Sequence, residues 1–535
     1  MTGGLSHAVG PGEPPVPGGT IGDWLDRAAE LWGERAALVL PWQGVRWTWA
    51  ELRARVDALA RGFDALGLRP GDRVGICAPN GAEWVLTQLA TARLGVILVT
   101  INPAYRTHEL AHALRLAGVR ALVTAARFKS SDYLAMVAEV APALPELHHV
   151  IEIGGTGEGG RVAFDSLLVP GGPIAPRAPL DETQAINIQF TSGTTGAPKR
   201  ATLSHRNLLH NAVSAAAGMR LGAEDRLCIP VPLYHCFGMV LGVLVCLTSG
   251  AAMVFPGQGF DAGATLACVA EERCTALHGV PTMFLGMLDH PEFDRFDLSS
   301  LRTGIAAGAP CPPTMMQRMI ERMNLAEITI GYGMTETSPL STQARADADL
   351  ETRTDTVGQM LPHCEGRVVD GDGALVPLGQ PGEYCARGPG VMLGYWNQPE
   401  ATAAAIRDGW MHSGDLATMD EEGRVRIVGR IKDMIIRGGE NIYPAEIEAF
   451  LLGHPDIAEV AVFGVPDAHL GERVCAWVRP RGSLEPEAVT AWCAGKIAHH
   501  KVPALVRIVD ALPMTVTGKV QKFAMRDAEA ERTVA

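Results

Sequence analysis

Residues Arg73 to Thr124 read RVGICAPNGAEWVLTQLATARLGVILVTINPAYRTHELAHALRLAGVRALVT. Arg73 to Ala78 is a short apolar run closed by Pro79-Asn80, the pattern of a buried strand. Ala82, Val85, Leu86, Leu89 and Ala90 then fall at i, i+3, i+4, i+7 and i+8, one face of a helix. Gly95 ends that helix, and Val96 to Ile101 returns to strand character. Leu110, Ala113, Leu114 and Ala117 make a second helical face, and Arg120 to Thr124 is again a strand. Strands separated by whole helices predict a parallel sheet, because hairpin turns cannot join parallel neighbours. The same rhythm continues through Val240 to Phe255, Thr275 to Val280 and Leu301 to Ala307.

Toward the C-terminus the pattern changes. Val425-Arg426-Ile427-Val428 alternates apolar and polar, and a basic, glycine-marked run follows from Gly429 to Gly439. Beyond it the spacing predicts helix Pro444 to Leu452, strands Ile457 to Val465 and Val474 to Arg479, helix Glu485 to His499 and strand Leu505 to Val509. The expected fold class is α/β: a large N-terminal domain, residues 1–430, of α/β subdomains with mostly parallel sheets, and a small α+β C-terminal domain, residues 431–535.

The 535 residues carry 46 basic and 59 acidic side chains, a net charge of -13 with a pI near 5.7. Such an acidic chain is a poor nucleic-acid partner. With 47 % apolar and 20 % charged residues it is an ordinary globular composition. The eleven cysteines are odd in number and contain no C-x-x-C pair, so they read as reduced thiols and point to a cytoplasmic protein. The apolar run Gly238 to Phe255 is interrupted by Thr248-Ser249-Gly250, which reads as helix-then-strand rather than a transmembrane segment.

Two motifs are decoys. His108-Glu109-Leu110-Ala111-His112 fits the zinc-protease pattern, but Leu110 and Leu114 claim the buried face, leaving both histidines toward solvent. Gly155 to Gly160 fits G-x-G-x-x-G, but Pro170-Gly171-Gly172-Pro173 cuts short the helix a dinucleotide would need. A surface turn is the better reading.

The chemistry sits after the strand-like run Ile186 to Phe190. Thr191-Ser192-Gly193-Thr194-Thr195-Gly196-Ala197-Pro198-Lys199 combines glycines that admit an anion to the backbone, four hydroxyl donors and a mobile positive charge. It is a phosphate cradle by composition and not a Walker A loop, since Pro198 precedes and Arg200 follows the lysine.

This loop resembles the signature of the adenylate-forming (AMP-binding) superfamily, and the other motifs follow in that family's order. Gly331-Tyr332-Gly333-Met334-Thr335-Glu336 looks like the adenine and magnesium motif, and Ser413-Gly414-Asp415 the ribose motif, with Ser for the usual Thr. Gly429 to Asp433 looks like the hinge, Gly438-Gly439-Glu440-Asn441 the CoA channel, and Thr517-Gly518-Lys519 the catalytic-lysine motif. The resemblance implies ATP, Mg²⁺ and coenzyme A as partners of a carboxylic acid, all small molecules, with the oligomeric state left open. It implies that Lys519 stabilises charge between carboxylate and α-phosphate, and that Glu336 holds Mg²⁺. Thr335 and the loop hydroxyls would bind phosphate, Tyr332 would stack on adenine, and Asp415 with Arg430 would take the ribose. Gly308-Ala309-Pro310 would complete the nucleotide site. Lys432 would be the hinge about which a mobile C-terminal domain turns between half-reactions.

For the acid, Pro232 to Met239 lacks the Asp of amino-acid-activating relatives, and Gly333 stands where acetate-specific relatives carry Trp. His235, Phe237, Gly238, Met239, Gly333 and Met334 are therefore expected to line an open apolar acyl pocket, with His235 at the carboxylate end. The resemblance is greatest to medium-chain fatty acyl-CoA synthetases, with aryl-CoA ligases as the alternative, and an adenylate-forming enzyme with another acceptor also open. Arg200 departs from the family, which has Gly there. If the position needs φ > 0, Arg is strained; otherwise its charge could serve pyrophosphate.

Overall fold

The computed structural model describes residues 4–174, 178–191, 199–309, 311–437, 440–467, 469–514 and 520–534. The chain divides into two compact units, Ala8–Gly366 with Ala386–Met411, and Met1–His7 with Arg367–Cys385 and His412–Ala535.

The larger unit holds two sheets. In the first, Val162–Ala163, His149–Ile153, Ala121–Ala125, Arg73–Cys77, Ile97–Thr100 and Ala185–Thr191 lie side by side and parallel. Lys199–Ser204 then pairs antiparallel with Ala185–Thr191, and Gly394–Tyr395 closes the edge. In the second, Glu327–Gly333, Thr303–Ala307, Ala276–Gly279, Arg226–Cys228, Ala252–Val254 and Ala36–Leu40 run parallel. Antiparallel strands flank this sheet at both edges.

In the larger unit the two helices of the Arg73 to Thr124 stretch form, with one difference. Thr107–Ala117 buries Leu110, Ala113, Leu114 and Ala117, as its periodicity demands. Ala82–Leu94 instead buries every residue but Glu83, because helices Ile21–Trp32 and Trp49–Ala65 cover the side that its pattern left open. Gly95 caps it in the left-handed region, φ +72°, and its N–H bonds back to Thr91 and Ala92.

Both decoys resolve as local structure. The Glu109 carboxylate accepts the Arg106 N–H at 2.9 Å, so it caps its own helix, and the His108 and His112 rings stack 6.5 Å apart beside it. Gly155–Gly160 leads into a two-residue strand and a short turn of helix at Phe164–Leu167, with no long helix to hold a pyrophosphate. The run Val240 to Phe255 is helix then strand, and it starts with a π turn, Met239–Leu244. Among the described residues no helix is long and apolar enough to cross a membrane. All eleven cysteines are buried free thiols.

In the smaller unit, Glu440–Ile442, Ile435–Arg437, Gly471–Pro480, Ile457–Asp467 and Leu505–Ile508 form a mixed sheet with apolar layers on both faces. Strand alternation makes the layers: Val460 and Val462 join Val474, Ala476 and Val478, while Ala461 and Phe463 join Cys475 and Trp477. The helix expected over Glu485 to His499 is shorter, Pro486–Cys493, because Gly495 turns left-handed at φ +71°. A helix absent from the sequence reading, Lys522–Val534, seals the second layer with Met525. Its Glu529 accepts from the Trp477 indole at 3.0 Å and pairs with Arg507.

Candidate active site

The residues expected to bind phosphate in the larger unit lie at the carboxyl ends of parallel strands, where ligands of open α/β sheets bind. Thr191 and Lys199 are paired residues that flank the hydroxyl-rich loop. Ser192, Gly193, Thr194, Thr195 and Gly196 lie outside the described residues, as do Pro310, Gly438, Gly439 and Lys519. In the second sheet, Ala307 sits opposite Gly331, so Gly308-Ala309 and Tyr332-Gly333-Met334 leave neighbouring strand ends together. Gly308 needs its glycine, at φ +92°.

Glu336 is buried at 5 % exposure on the short turn Thr335–Thr337. Its Oε1 accepts the Tyr395 hydroxyl at 2.8 Å, and the Lys199 ammonium lies 4.9 Å from the Tyr395 ring centroid. Burial and the neighbouring Glu336 carboxylate raise the Tyr395 phenol above its ordinary range, so it stays a donor. Lys199, Tyr395 and Glu336 thus form one chain from the phosphate loop to the carboxylate proposed for magnesium. Tyr395 was not legible as a site residue: it lies 59 residues from Glu336, and no spacing rule links the two.

The segment expected to line the acyl pocket is tied to the same place. His235 caps the turn Cys236–Gly238, its Nδ1 accepting the Phe237 N–H at 3.2 Å, which leaves the ring proton on Nε2. The Cys236 thiol donates to Gln189 Oε1 at 3.1 Å and lies 3.5 Å from the Thr335 hydroxyl. Gln189 Nε2 also meets Met239 Sδ at 3.0 Å. Gln189 stands two residues before Thr191, so one side chain fixes the acyl segment against the root of the phosphate loop. Val240, Leu241, Val243, Leu244 and Val245 are all buried around the π turn. Phe237 packs on His278, with ring centroids 5.3 Å apart.

Gly333 has a second constraint, and the strain reading of Arg200 needs correction. A Cβ on Gly333 would lie 2.0 Å from the Pro339 carbonyl oxygen and 2.8 Å from the Ser341 nitrogen. The adjoining backbone therefore requires glycine at this position. Arg200 is strand backbone, paired with Phe190 and absent from the residues with positive φ, so the strain reading falls. Its side chain is buried at 6 % exposure, with no hydrogen-bond partner for Nε among the described residues.

In the smaller unit, Asp415 faces Arg430 across paired strands, with Arg430 Nε 3.2 Å from Asp415 Oδ1. Ser413 donates to the Tyr384 carbonyl at 2.6 Å and accepts the Asp415 N–H at 3.0 Å. A hydroxyl is what the turn needs, and Ser supplies it as Thr would. Glu383 Oε1 accepts the Gly414 N–H at 3.0 Å. Lys432 is exposed on the turn Ile431–Asp433, and Glu440 is exposed on its strand.

Parallel sheets with the Thr191–Lys199 strand pair tied through Tyr395 to a buried carboxylate, and a second unit with a carboxylate–arginine pair, are features of a nucleotide-using enzyme. The AMP-binding enzyme family model matches residues 25–396, and the AMP-binding enzyme C-terminal domain model matches 446–519. The chain belongs to this family and is, by class, an acyl-CoA ligase. YngI of Bacillus subtilis (strain 168) is 44 % identical over 535 residues, covering 96 % of this chain and 97 % of that one. The mitochondrial medium-chain acyl-CoA ligase ACSF2 of Danio rerio is 43 % identical over 550 residues, covering 98 % and 90 %. Among solved structures, the anthranilate CoA ligase AuaEII in complex with anthranoyl-AMP matches with a TM-score of 0.89 at 27 % identity, covering 97 % of this chain and 98 % of that one.

Proposed function

We propose that the protein joins a medium-chain fatty acid to ATP, giving acyl-AMP and pyrophosphate, and then passes the acyl group to CoA, giving acyl-CoA and AMP. The observation that carries this reading is the Gln189–Cys236–Thr335 linkage, which holds an apolar segment headed by His235 against the phosphate-binding turn. A carboxylic acid with an apolar tail is the ligand such a junction suits. Two anions must meet there, so positive charge and hydrogen-bond donors are required. His235 presents an Nε2 proton to the carboxylate. Lys199, Thr191, Thr335 and the loop residues Ser192 to Gly196 bind phosphate oxygens, with Gly308, Ala309, Pro310, Gly331 and Tyr332 at the adenine. Asp415 accepts the ribose hydroxyls, and Arg430 orients it. Lys519 supplies the charge for adenylation. Lys432 is the hinge of a C-terminal domain, residues 431–535, and Gly438 to Asn441 line the thiol channel.

A Mg²⁺ ion fits Glu336: a buried carboxylate with one oxygen held by Tyr395 offers the other as a hard ligand. When bound, the ion would screen phosphate charge. The medium-chain assignment is supported by the ACSF2 relative and by the apolar walls around Met239–Leu244. The likeness to an anthranilate CoA ligase favours an aryl acid as the second reading. Eleven buried thiols support a cytoplasmic location. CoA-dependent AMP release across acetate, C4 to C16 fatty acids, benzoates and anthranilate tests the substrate. Octanoate should give the highest kcat/KM. A larger value for an aromatic acid would select the second reading.

A further inference from the structure

Three donor atoms converge within the smaller unit. Glu383 and Cys385 are i and i+2 on one strand, Gly382–Arg387, and so share a face; His412 lies on the neighbouring strand, Trp410–Met419. His412 Nδ1 is 2.7 Å from Glu383 Oε2 and 3.4 Å from Cys385 Sγ, and all three atoms lie within 4.8 Å of one another. Cys385 is fully buried, and the side chains of His412 and Glu383 are 9 % and 19 % exposed.

The carboxylate and the thiol meet the same ring nitrogen. A nucleophile–base–orienter relay needs its partners on opposite ring nitrogens, so this arrangement does not serve one. Convergence of a thiol, an imidazole nitrogen and a carboxylate oxygen on one point is instead the donor set of a borderline-soft divalent cation. Among the described residues, it is the one group of three such ligands found so close together.

We propose that Glu383, Cys385 and His412 form a binding site for a thiophilic divalent cation of the zinc class, with a water molecule as fourth ligand. Binding displaces the thiol proton, so it is favoured as pH rises. The His412–Glu383 separation must widen, since 2.7 Å is a hydrogen bond and two ligands of one zinc ion stand farther apart. Glu383 also holds the Gly414 N–H through its other oxygen, at 3.0 Å. The cation therefore pulls on the Ser413-Gly414-Asp415 turn and would couple metal occupancy to that turn.

The test is titration of the full-length protein with Co²⁺, a spectroscopic substitute for zinc, followed by the thiolate-to-cobalt charge-transfer absorption in the near ultraviolet. One equivalent should produce the band, and Zn²⁺ should displace it. Cys385→Ser should abolish the band, and His412→Gln should weaken binding by more than about 10-fold. The control is Cys228→Ala, because Cys228 lies against Cys268 and Cys274 and these thiols are the rival sulfur cluster. A band that survives Cys385→Ser, or that disappears in Cys228→Ala, overturns the proposal, as does the absence of a band in the wild type.

Discussion

At the scale of single residues, the carboxylate proposed to hold Mg²⁺ depends on a phenol. Glu336 is buried, and a buried carboxylate without a donor carries a desolvation penalty. Tyr395 removes part of that penalty and fixes the orientation of the group. Tyr395→Phe deletes one hydrogen bond to a charged acceptor, worth about 1.5–3 kcal/mol. Steady-state kinetics should show kcat/KM for ATP lowered by about 10- to 100-fold, with a raised Mg²⁺ requirement and KM for CoA unmoved. Unchanged kinetics would mean that the Tyr395 contact does not position Glu336 for the reaction. Arg200 teaches a different point. A residue that breaks a family pattern suggested strain, yet the local backbone is an ordinary strand, and a cost that depends on φ disappears when φ is negative.

At the scale of elements, the hairpin from Glu327–Gly333 to Leu340–Gln343 is packed against its own backbone at Gly333. Gly333→Ala must shift the Pro339 carbonyl, so it should lower kcat/KM for acetate and octanoate by the same factor and reduce Tm. Selective loss of octanoate activity would instead show that Gly333 also walls the acyl pocket. The parallel core was legible because 3.6- and 2-residue periods survive in a sequence whenever one face is buried. All-round burial of Ala82–Leu94 was not, since small and hydroxylated residues such as Thr87 and Thr91 satisfy themselves within the helix and look polar in sequence. The π turn at Met239–Leu244 has no periodic signal in so short a run. Within the site, contiguous motifs were legible, whereas Gln189, Cys236 and Tyr395 meet their partners only through tertiary pairing.

At the scale of the whole molecule, two buried imidazoles set an acid limit. Burial lowers His205 and His278 to about 4, and each Nδ1 accepts a backbone N–H, from Ile21 and Ile305. The unfolded chain protonates these groups near their ordinary value while the folded chain does not, so stability falls as pH drops from about 6.5 toward 4. The loss is on the order of 3 kcal/mol per histidine across that window. Denaturant titration from pH 7 to pH 4.5 should show it, reduced in His278→Gln; a flat profile would mean that neither ring is held neutral. The central claim is that the acid is activated as an acyl-adenylate before CoA takes part. It is tested most directly by pyrophosphate exchange into ATP with octanoate and without CoA. The account predicts exchange that requires the acid, is lost in Lys519→Ala, and gives way to AMP and octanoyl-CoA when CoA is added. Exchange independent of acid, or release of ADP and phosphate in place of AMP, would contradict it.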